Sequence, residues 1–311
     1  MKRCFITGAS GFVGANLVRR LLADGHEAHV ALRPEHQPWR LQEIASSLQV
    51  YAVDIADREK VGQAVRDIRP DWVFHLAAYG AYSTQTGFAR MMDVNVEGTA
   101  SLLEACGDVG VECFVYTGSS SEYGYKDHAP REDEVLEPNS DYAITKAAAT
   151  HCCQFAARTR GINAVAVRLY SIYGPYEEPT RLIPTLIAKG MRGTLPPLVS
   201  PATARDFVYV DDSVDALIRI AERSRAPGVV YNLCSGVQTT MAEVVATARR
   251  VMGIAEEPVW STMERRSWDT DVWIGCPDKL ADAIGWRTKN SFEAGLQKTI
   301  DWSRSRQAPG S

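Results

Sequence analysis

The sequence predicts an α/β fold: a doubly wound parallel sheet, with a smaller mixed α/β region towards the C-terminus. Three observations lead there. Short apolar runs alternate with amphipathic stretches through the first half, which is the pattern of βαβ units. A glycine-rich turn joins the first apolar run to the first amphipathic stretch. Beyond Pro175 the alternation breaks down into longer, proline-richer loops such as Pro196-Pro197 and Pro201.

The elements follow in order. Cys4-Phe5-Ile6 is the first strand and leads to a helix around Gly14–Asp24. Ala28–Leu32 and Gln49–Val53 are the next strands, then a helix spans about Arg58–Ile68. Trp72-Val73-Phe74-His75-Leu76 is strand-like, a helix lies near Asn95–Gly107, and Cys113–Thr117 is again short and apolar. Such strands are apolar on both faces, so two helical layers should cover them. A long helix runs from Tyr142 to about Arg160, and Ala164–Leu169 is a further strand. In the second half, a strand at Val229–Leu233 and a helix at Met241–Met252 are expected to rejoin the sheet layer. Residues 1–175 therefore form the sheet domain, with 206–250 partly returning to it. Residues 176–205 and 251–303 form the second region. Arg304–Ser311, polar with Pro and Gly, is expected to be disordered.

Composition narrows the function. The chain has 311 residues, with 34 basic against 38 acidic side chains and a net charge of −4, which argues against a nucleic-acid surface. No run of about 18 apolar residues and no signal-peptide pattern is visible, so a cytoplasmic protein without a membrane span is expected. Seven cysteines without paired spacing suit free thiols in a reducing compartment. His151-Cys152-Cys153 is the one cluster with metal-ligating residue types, but adjacent helical positions diverge and no second ligand pair follows. No metal is expected.

The turn reads Gly8-Ala9-Ser10-Gly11-Phe12-Val13-Gly14. In this variant of the Rossmann fingerprint Gly8 permits the tight turn, Gly11 admits a pyrophosphate and Gly14 lets helix and strand pack closely. The N–H groups of Ser10, Phe12 and Val13 would face the anion. A carboxylate at the end of the second strand would bind the ribose 2′-hydroxyl of NAD, whereas an Arg there accommodates the 2′-phosphate of NADP. This chain reads Val30-Ala31-Leu32-Arg33-Pro34, so Arg33 favours NADP(H), with NAD(H) as the alternative. Asp54 and Ile55 follow the third strand where the adenine should lie, and Leu76-Ala77-Ala78 makes a small apolar shelf after the fourth.

Tyr142 and Lys146 stand four residues apart, on one face of a helix. An ammonium near the phenol is expected to lower its pKa and make Tyr142 a general acid or base. Gly118-Ser119-Ser120-Ser121-Glu122-Tyr123-Gly124 ends the preceding strand, where a serine hydroxyl could bond the reacting oxygen.

With these features the chain resembles the extended short-chain dehydrogenases/reductases, the nucleotide-sugar epimerases, dehydratases and 4-ketoreductases. The likeness runs from Phe5 to Trp302 and includes Asn95, Arg168-Leu169-Tyr170-Ser171-Ile172-Tyr173-Gly174-Pro175, Arg205-Asp206-Phe207-Val208-Tyr209-Val210-Asp211-Asp212 and Tyr231-Asn232-Leu233-Cys234-Ser235-Gly236. It implies that Tyr142 is the acid/base and that Lys146 binds the nicotinamide ribose. It implies that Ser119 or Ser120, depending on where a gap falls, holds the sugar oxygen, and that Tyr170 and Ile172 border the cofactor. Arg205, Arg266 (or Arg265) and, more remotely, Arg181 would contact the nucleotide diphosphate, for which converging guanidinium groups are suited. Tyr79, Tyr82 and Ser83 fall where a sugar pocket would be lined. Members of the superfamily commonly form homodimers through the helices near Asn95–Gly107 and Tyr142–Arg160.

Two departures bear on the reaction. The family's usual Asn after the sixth strand is Ser171, and the serine region carries a single acid, Glu122, where 4,6-dehydratases carry an acidic pair; some dehydratases use a Thr-Ser-Glu group instead, with which Ser120-Ser121-Glu122 is compatible. The stretch Ile274-Gly275-Cys276…Lys279-Leu280…Gly285-Trp286 is similar to the ending of reductases of nucleotide-linked 4-keto-6-deoxyhexoses. The expected function is an NADPH-dependent reductase of such a sugar. The alternative is a 4-epimerase or 4,6-dehydratase that retains its NAD(P). A non-enzymatic dinucleotide sensor would not need the Tyr142/Lys146 pair.

Overall fold

The computed structural model describes residues 1–35, 38–82, 84–264 and 270–307. The first half runs β1 (Arg3–Thr7), α1 (Phe12–Ala23), β2 (Glu27–Leu32), a 3-10 segment at Trp39–Ser47, β3 (Gln49–Ala52), α2 (Arg58–Ile68) and β4 (Trp72–His75). It continues through α3 (Phe88–Met91), a π-helical turn at Met92–Glu97, α4 (Gly98–Val109), β5 (Cys113–Ser119), a 3-10 turn at Ser120–Tyr123, α5 (Asp141–Arg160) and β6 (Ala164–Leu169). The second half holds β7 (Ser171–Tyr173), α6 (Leu182–Gly190), β8 (Ala204–Tyr209), α7 (Val210–Arg223), β9 (Val230–Leu233), β10 (Gln238–Thr240), α8 (Met241–Met252), α9 (Asp278–Ile284) and α10 (Phe292–Gln307).

The main sheet has the order β3-β2-β1-β4-β5-β6-β9, every pair parallel. A smaller sheet, β10-β8-β7, is mixed. Strand residues alternate between two cores. Cys4, Ile6, Phe74 and Val115 face the layer that contains α1, α7 and α8, while Phe5, Val73, Phe114 and Ala166 face α2, α4 and α5. This two-sided burial is why the strands read as unbroken apolar runs.

Local signals account for the helices that matter most. The Ser140 hydroxyl caps α5 at the Ala143 N–H, Asp141 sits in the positive first turn, and Gly161 ends the helix in the left-handed conformation. Thr240 and Glu243 form a capping box at α8, and Gly253 closes it.

Three expectations change. The helix expected from Asn95 is part of a longer helical run beginning at Phe88, with Asn95 inside the π-turn. The strand expected to stop at Thr117 continues through Ser119, because Gly118 and Ser119 still pair with Arg168 and Leu169 of β6. Of the tail expected to be disordered, Arg304–Gln307 is helical, because the apolar side chains of Leu296 and Ile300 anchor α10 in the core, and residues 308–311 lie outside the described residues.

Candidate active site

The strand order reverses between β1 and β4, and the loops leaving their C-terminal ends form the crevice where open α/β sheets bind ligands. The glycine turn leaves β1 here. Gly8 has φ +71°, and any Cβ on it would collide with the Leu76–Ala77 backbone. Gly11 is the N-cap of α1 and no side chain caps the helix, so its first N–H groups are left for an outside acceptor. Phe12 and Val13 pack against the core, and the Ser10 carbonyl accepts from Arg40. The turn thus fits a dinucleotide pyrophosphate.

Around this cradle, Leu76, Ala77 and Ala78 are half-buried after β4, and the Ala77 N–H donates to the Thr7 hydroxyl at 3.3 Å. Arg33 is exposed at the end of β2 and makes no hydrogen bond or ion pair among the described residues, although its charge reaches Asp54. The Asp54 carboxylate accepts from Arg90 at 2.7 Å and from the Ala56 N–H at 3.0 Å, and Ile55 is buried. Tyr170 is buried against Gly275, and Ile172 lies half-buried in β7.

Below the shelf runs a chain of buried hydrogen bonds. Thr7 Oγ1 lies 2.6 Å from His75 Nδ1, and His75 Nε2 lies 2.8 Å from Thr99 Oγ1, which itself donates to the Asn95 carbonyl. Since Thr99 spends its proton on Asn95, His75 must donate from Nε2 and accept from Thr7. Burial, assisted by the Lys146 charge, lowers the His75 pKa to about 3, so the ring is neutral. Asn95 continues the chain: its amide donates to the Tyr79 carbonyl and to Thr145 Oγ1, and Thr145 donates to the Tyr142 carbonyl. The π-turn delivers Asn95 to this bridge.

Tyr142 and Lys146 share one face of α5, but their electrostatics differ from the expectation. Burial raises the Tyr142 pKa to about 12; the negative charge of Glu122 adds to this, while Arg181 and hydrogen bonding from Ser119 oppose it. Lys146 is not among the main groups acting on Tyr142. Its ammonium donates to the Thr117 carbonyl at 2.6 Å and lies 4.4 Å from the Tyr116 ring centroid, and burial lowers its own pKa to about 8. The expected lowering of the Tyr142 pKa by Lys146 therefore does not hold in the protein alone, because desolvation outweighs a cation directed elsewhere.

The two serines part company. Ser119 ends β5, its hydroxyl lies 2.7 Å from Ser121 Oγ, and it contributes to the Tyr142 environment. Ser120 is buried in the following turn and lines a small recess with Tyr123, Tyr170, Val272 and Trp273. Glu122 is fully buried and ion-paired with Arg168 at 2.9 Å.

Of the arginines, Arg181 precedes α6, donates to the Ala81 carbonyl at 3.4 Å and stacks over Tyr82, with its charge felt at Tyr142. Arg205 is half-buried and lies over the Trp273 ring. Ser83, Arg265 and Arg266 fall outside the described residues. Sequence reasoning missed Arg40, which is buried and donates to the Tyr176 carbonyl at 2.7 Å and to Glu178 at 3.1 Å. Nothing in its polar surroundings in the chain marked it. No group of three or more metal-ligating side chains occurs among the described residues, and no described helix is long and apolar enough to cross a membrane.

A parallel sheet whose order reverses at a glycine-lined helix N-terminus, with a Tyr–Lys pair beside that crevice, defines a dinucleotide-dependent enzyme of the extended short-chain dehydrogenase/reductase class. Within it, the chain belongs to the NAD dependent epimerase/dehydratase family, whose model matches residues 4–234. It is 30% identical over 305 residues to a low-salt glycan biosynthesis protein of Haloferax volcanii, covering 96% of this chain and 97% of that one. It is 28% identical to a dTDP-glucose 4,6-dehydratase of Neisseria meningitidis serogroup B, covering 97% and 93%. Among solved structures, UDP-glucose 4-epimerase of Thermotoga maritima with UDP-glucose matches with a TM-score of 0.88 at 27% identity, covering 97% of this chain and 99% of that one. The UDP-glucose 4-epimerase of Thermus thermophilus in complex with NAD matches with a TM-score of 0.85 at 28% identity, covering 99% and 100%.

Proposed function

We propose that the protein is an NADP(H)-dependent reductase of a nucleotide-diphosphate-linked 4-keto-6-deoxy sugar. One observation carries this reading: the serine turn offers hydroxyls to the reacting oxygen but no exposed carboxylate. Glu122 is the one acid of that turn and is fully buried, with Oε1 accepting from the Ser119 N–H and Oε2 ion-paired with Arg168. A 4,6-elimination needs a carboxylate able to reach the sugar in addition to the tyrosine; reduction at C4 needs only a proton donor.

A bound nicotinamide dinucleotide supplies the hydride. Ser119 hydrogen-bonds the C4 oxygen and polarises the carbonyl, and Tyr142 delivers its phenolic proton to that oxygen. The raised Tyr142 pKa keeps the group protonated at neutral pH, the form a reduction uses. Lys146 binds the nicotinamide ribose. Arg205 and Arg266, with Arg181 at the cleft edge, neutralise the diphosphate. Arg33 pairs with the 2′-phosphate. The second reading is a 4-epimerase, favoured by the likeness to the two UDP-glucose 4-epimerases. Ile144 and Phe155 remain exposed on α5 and supply an apolar face for a homodimer.

The test is to denature the purified protein and identify any dinucleotide it releases, then follow NADPH and NADH oxidation with GDP-, CDP- and dTDP-linked 4-keto-6-deoxyhexoses. A preference for NADPH that disappears in Arg33→Ala supports the reductase. Retained NAD with interconversion of UDP-hexoses, and no net cofactor oxidation, would overturn it in favour of the epimerase.

A further inference from the structure

The Glu122 carboxylate lies where a dehydratase acid was sought, yet its surroundings are those of a fixed internal charge. Oε1 accepts from the Ser119 N–H at 2.8 Å, and Oε2 accepts from Thr150 Oγ1 at 3.0 Å and from Arg168 Nε at 2.9 Å. Gly118 makes room for it: a Cβ there would stand 2.4 Å from Oε1. Arg168 is held in turn by the Glu132 carbonyl and stacks on the Tyr123 ring at 4.4 Å. A carboxylate that is fully buried and holds three hydrogen bonds is not exposed to substrate.

We infer that Glu122 is a positioning residue, which sets Ser119 at the reacting oxygen through the Ser119 backbone and acts as the remote counter-charge that keeps the buried Lys146 an ammonium. The inference rests on the proposed roles of Ser119, Tyr142 and Lys146. The charged and titratable groups around Lys146 come from several elements: neutral His75 from β4, Tyr116 from β5, Cys153 from α5, where Tyr142 stands one turn before Lys146, and Glu122 from the serine turn. Burial pushes Lys146 down and Glu122 is the foremost influence pushing it back up. The same charge favours the protonated phenol at Tyr142. Thr150, one turn beyond Lys146 on α5, donates to Glu122 Oε2 at 3.0 Å, so the carboxylate end of the ion pair touches the catalytic helix. Without that charge, desolvation would be opposed only by the weaker influence of Cys153, and the amine would lose its proton at a lower pH.

The experiment follows Lys146 directly. The protein is labelled with carbon-13 at lysine Cε, and the Lys146 resonance is identified by its loss in Lys146→Met. Its titration is compared in wild type, Glu122→Gln and the double variant Glu122→Gln/Arg168→Met. The double variant removes both buried charges and serves if the single variant, left with an unpaired guanidinium, does not fold. The expected result is a Lys146 midpoint lowered by about one pH unit or more, with the alkaline limb of kcat/KM for NADPH oxidation moving by the same amount. An unchanged midpoint in a folded variant overturns the inference and leaves Glu122 a purely structural brace. The resonance titrates whether or not the enzyme turns over. If the catalytic reading itself is wrong, Tyr142→Phe retains activity while the Lys146 midpoint still reports on Glu122.

Discussion

A Cβ placed on Gly14 would stand 2.2 Å from the carbonyl oxygen of Gly8, whereas one on Gly11 would come no closer than 3.1 Å to the same atom. The two glycines therefore do different work. Gly14→Ala forces backbone apart from backbone and should destabilise the fold by about 1–3 kcal/mol, read as a lower urea midpoint. Gly11→Ala should leave that midpoint within about 0.5 kcal/mol of wild type but weaken dinucleotide binding at least tenfold by calorimetry, because the methyl occupies the pyrophosphate's approach. Equal stability losses in the two variants would contradict this division.

Arg40 ties the glycine turn to the loop after β7 by donating to the carbonyls of Ser10 and Tyr176 and to the Glu178 carboxylate. Arg40→Met keeps the stem and removes these bonds. It should raise KM for both cofactor and sugar several-fold with a smaller change in kcat, because the loop leads directly to Arg181. Steady-state kinetics with each substrate varied in turn would show it; a change confined to kcat would not fit.

Tyr142→Phe removes the phenolic proton and little packing. Turnover should fall by about two to four orders of magnitude. The dissociation constant for NADPH should stay within about twofold, as fluorescence titration would show.

His75 predicts a pH dependence of stability. In the fold it titrates near 3, against about 6.5 when unfolded. Between those values the unfolded chain binds a proton that the native state refuses, so stability is fully present above about pH 6.5 and falls as the pH drops towards 3. The slope from this group approaches 1.4 kcal/mol per pH unit. Urea unfolding at pH 7 and pH 5 should show a smaller loss in His75→Gln than in wild type.

Much of this architecture was legible in the chain. β6 and α8 fall at the limits expected for them, Ala164–Leu169 and Met241–Met252, since the patterns that mark them lie in neighbouring residues. The glycine spacing marked the crevice before any contact was known. α7 was not recognised, although Asp211 and Asp212 open it and Val214, Leu217, Ile218 and Ala221 line its buried face. It follows β8 without an intervening turn, and the stretch Arg205–Asp212 was read only for its likeness to relatives. Arg40 was invisible because its partners lie more than 130 residues away, apart from Ser10.

The sequence by itself determined the βαβ alternation, the dinucleotide turn and the placing of Tyr142 and Lys146 on one helical face, because each depends on spacing within a few residues. The tertiary structure alone decided which groups carry charge beside the reacting carbon. Desolvation and the convergence of β5, β6 and α5 determine that Glu122 is a buried partner of Arg168, that Lys146 bonds to Thr117, and that Tyr142 holds its proton. Those are sums over neighbours brought together from distant parts of the chain, and no local pattern encodes them.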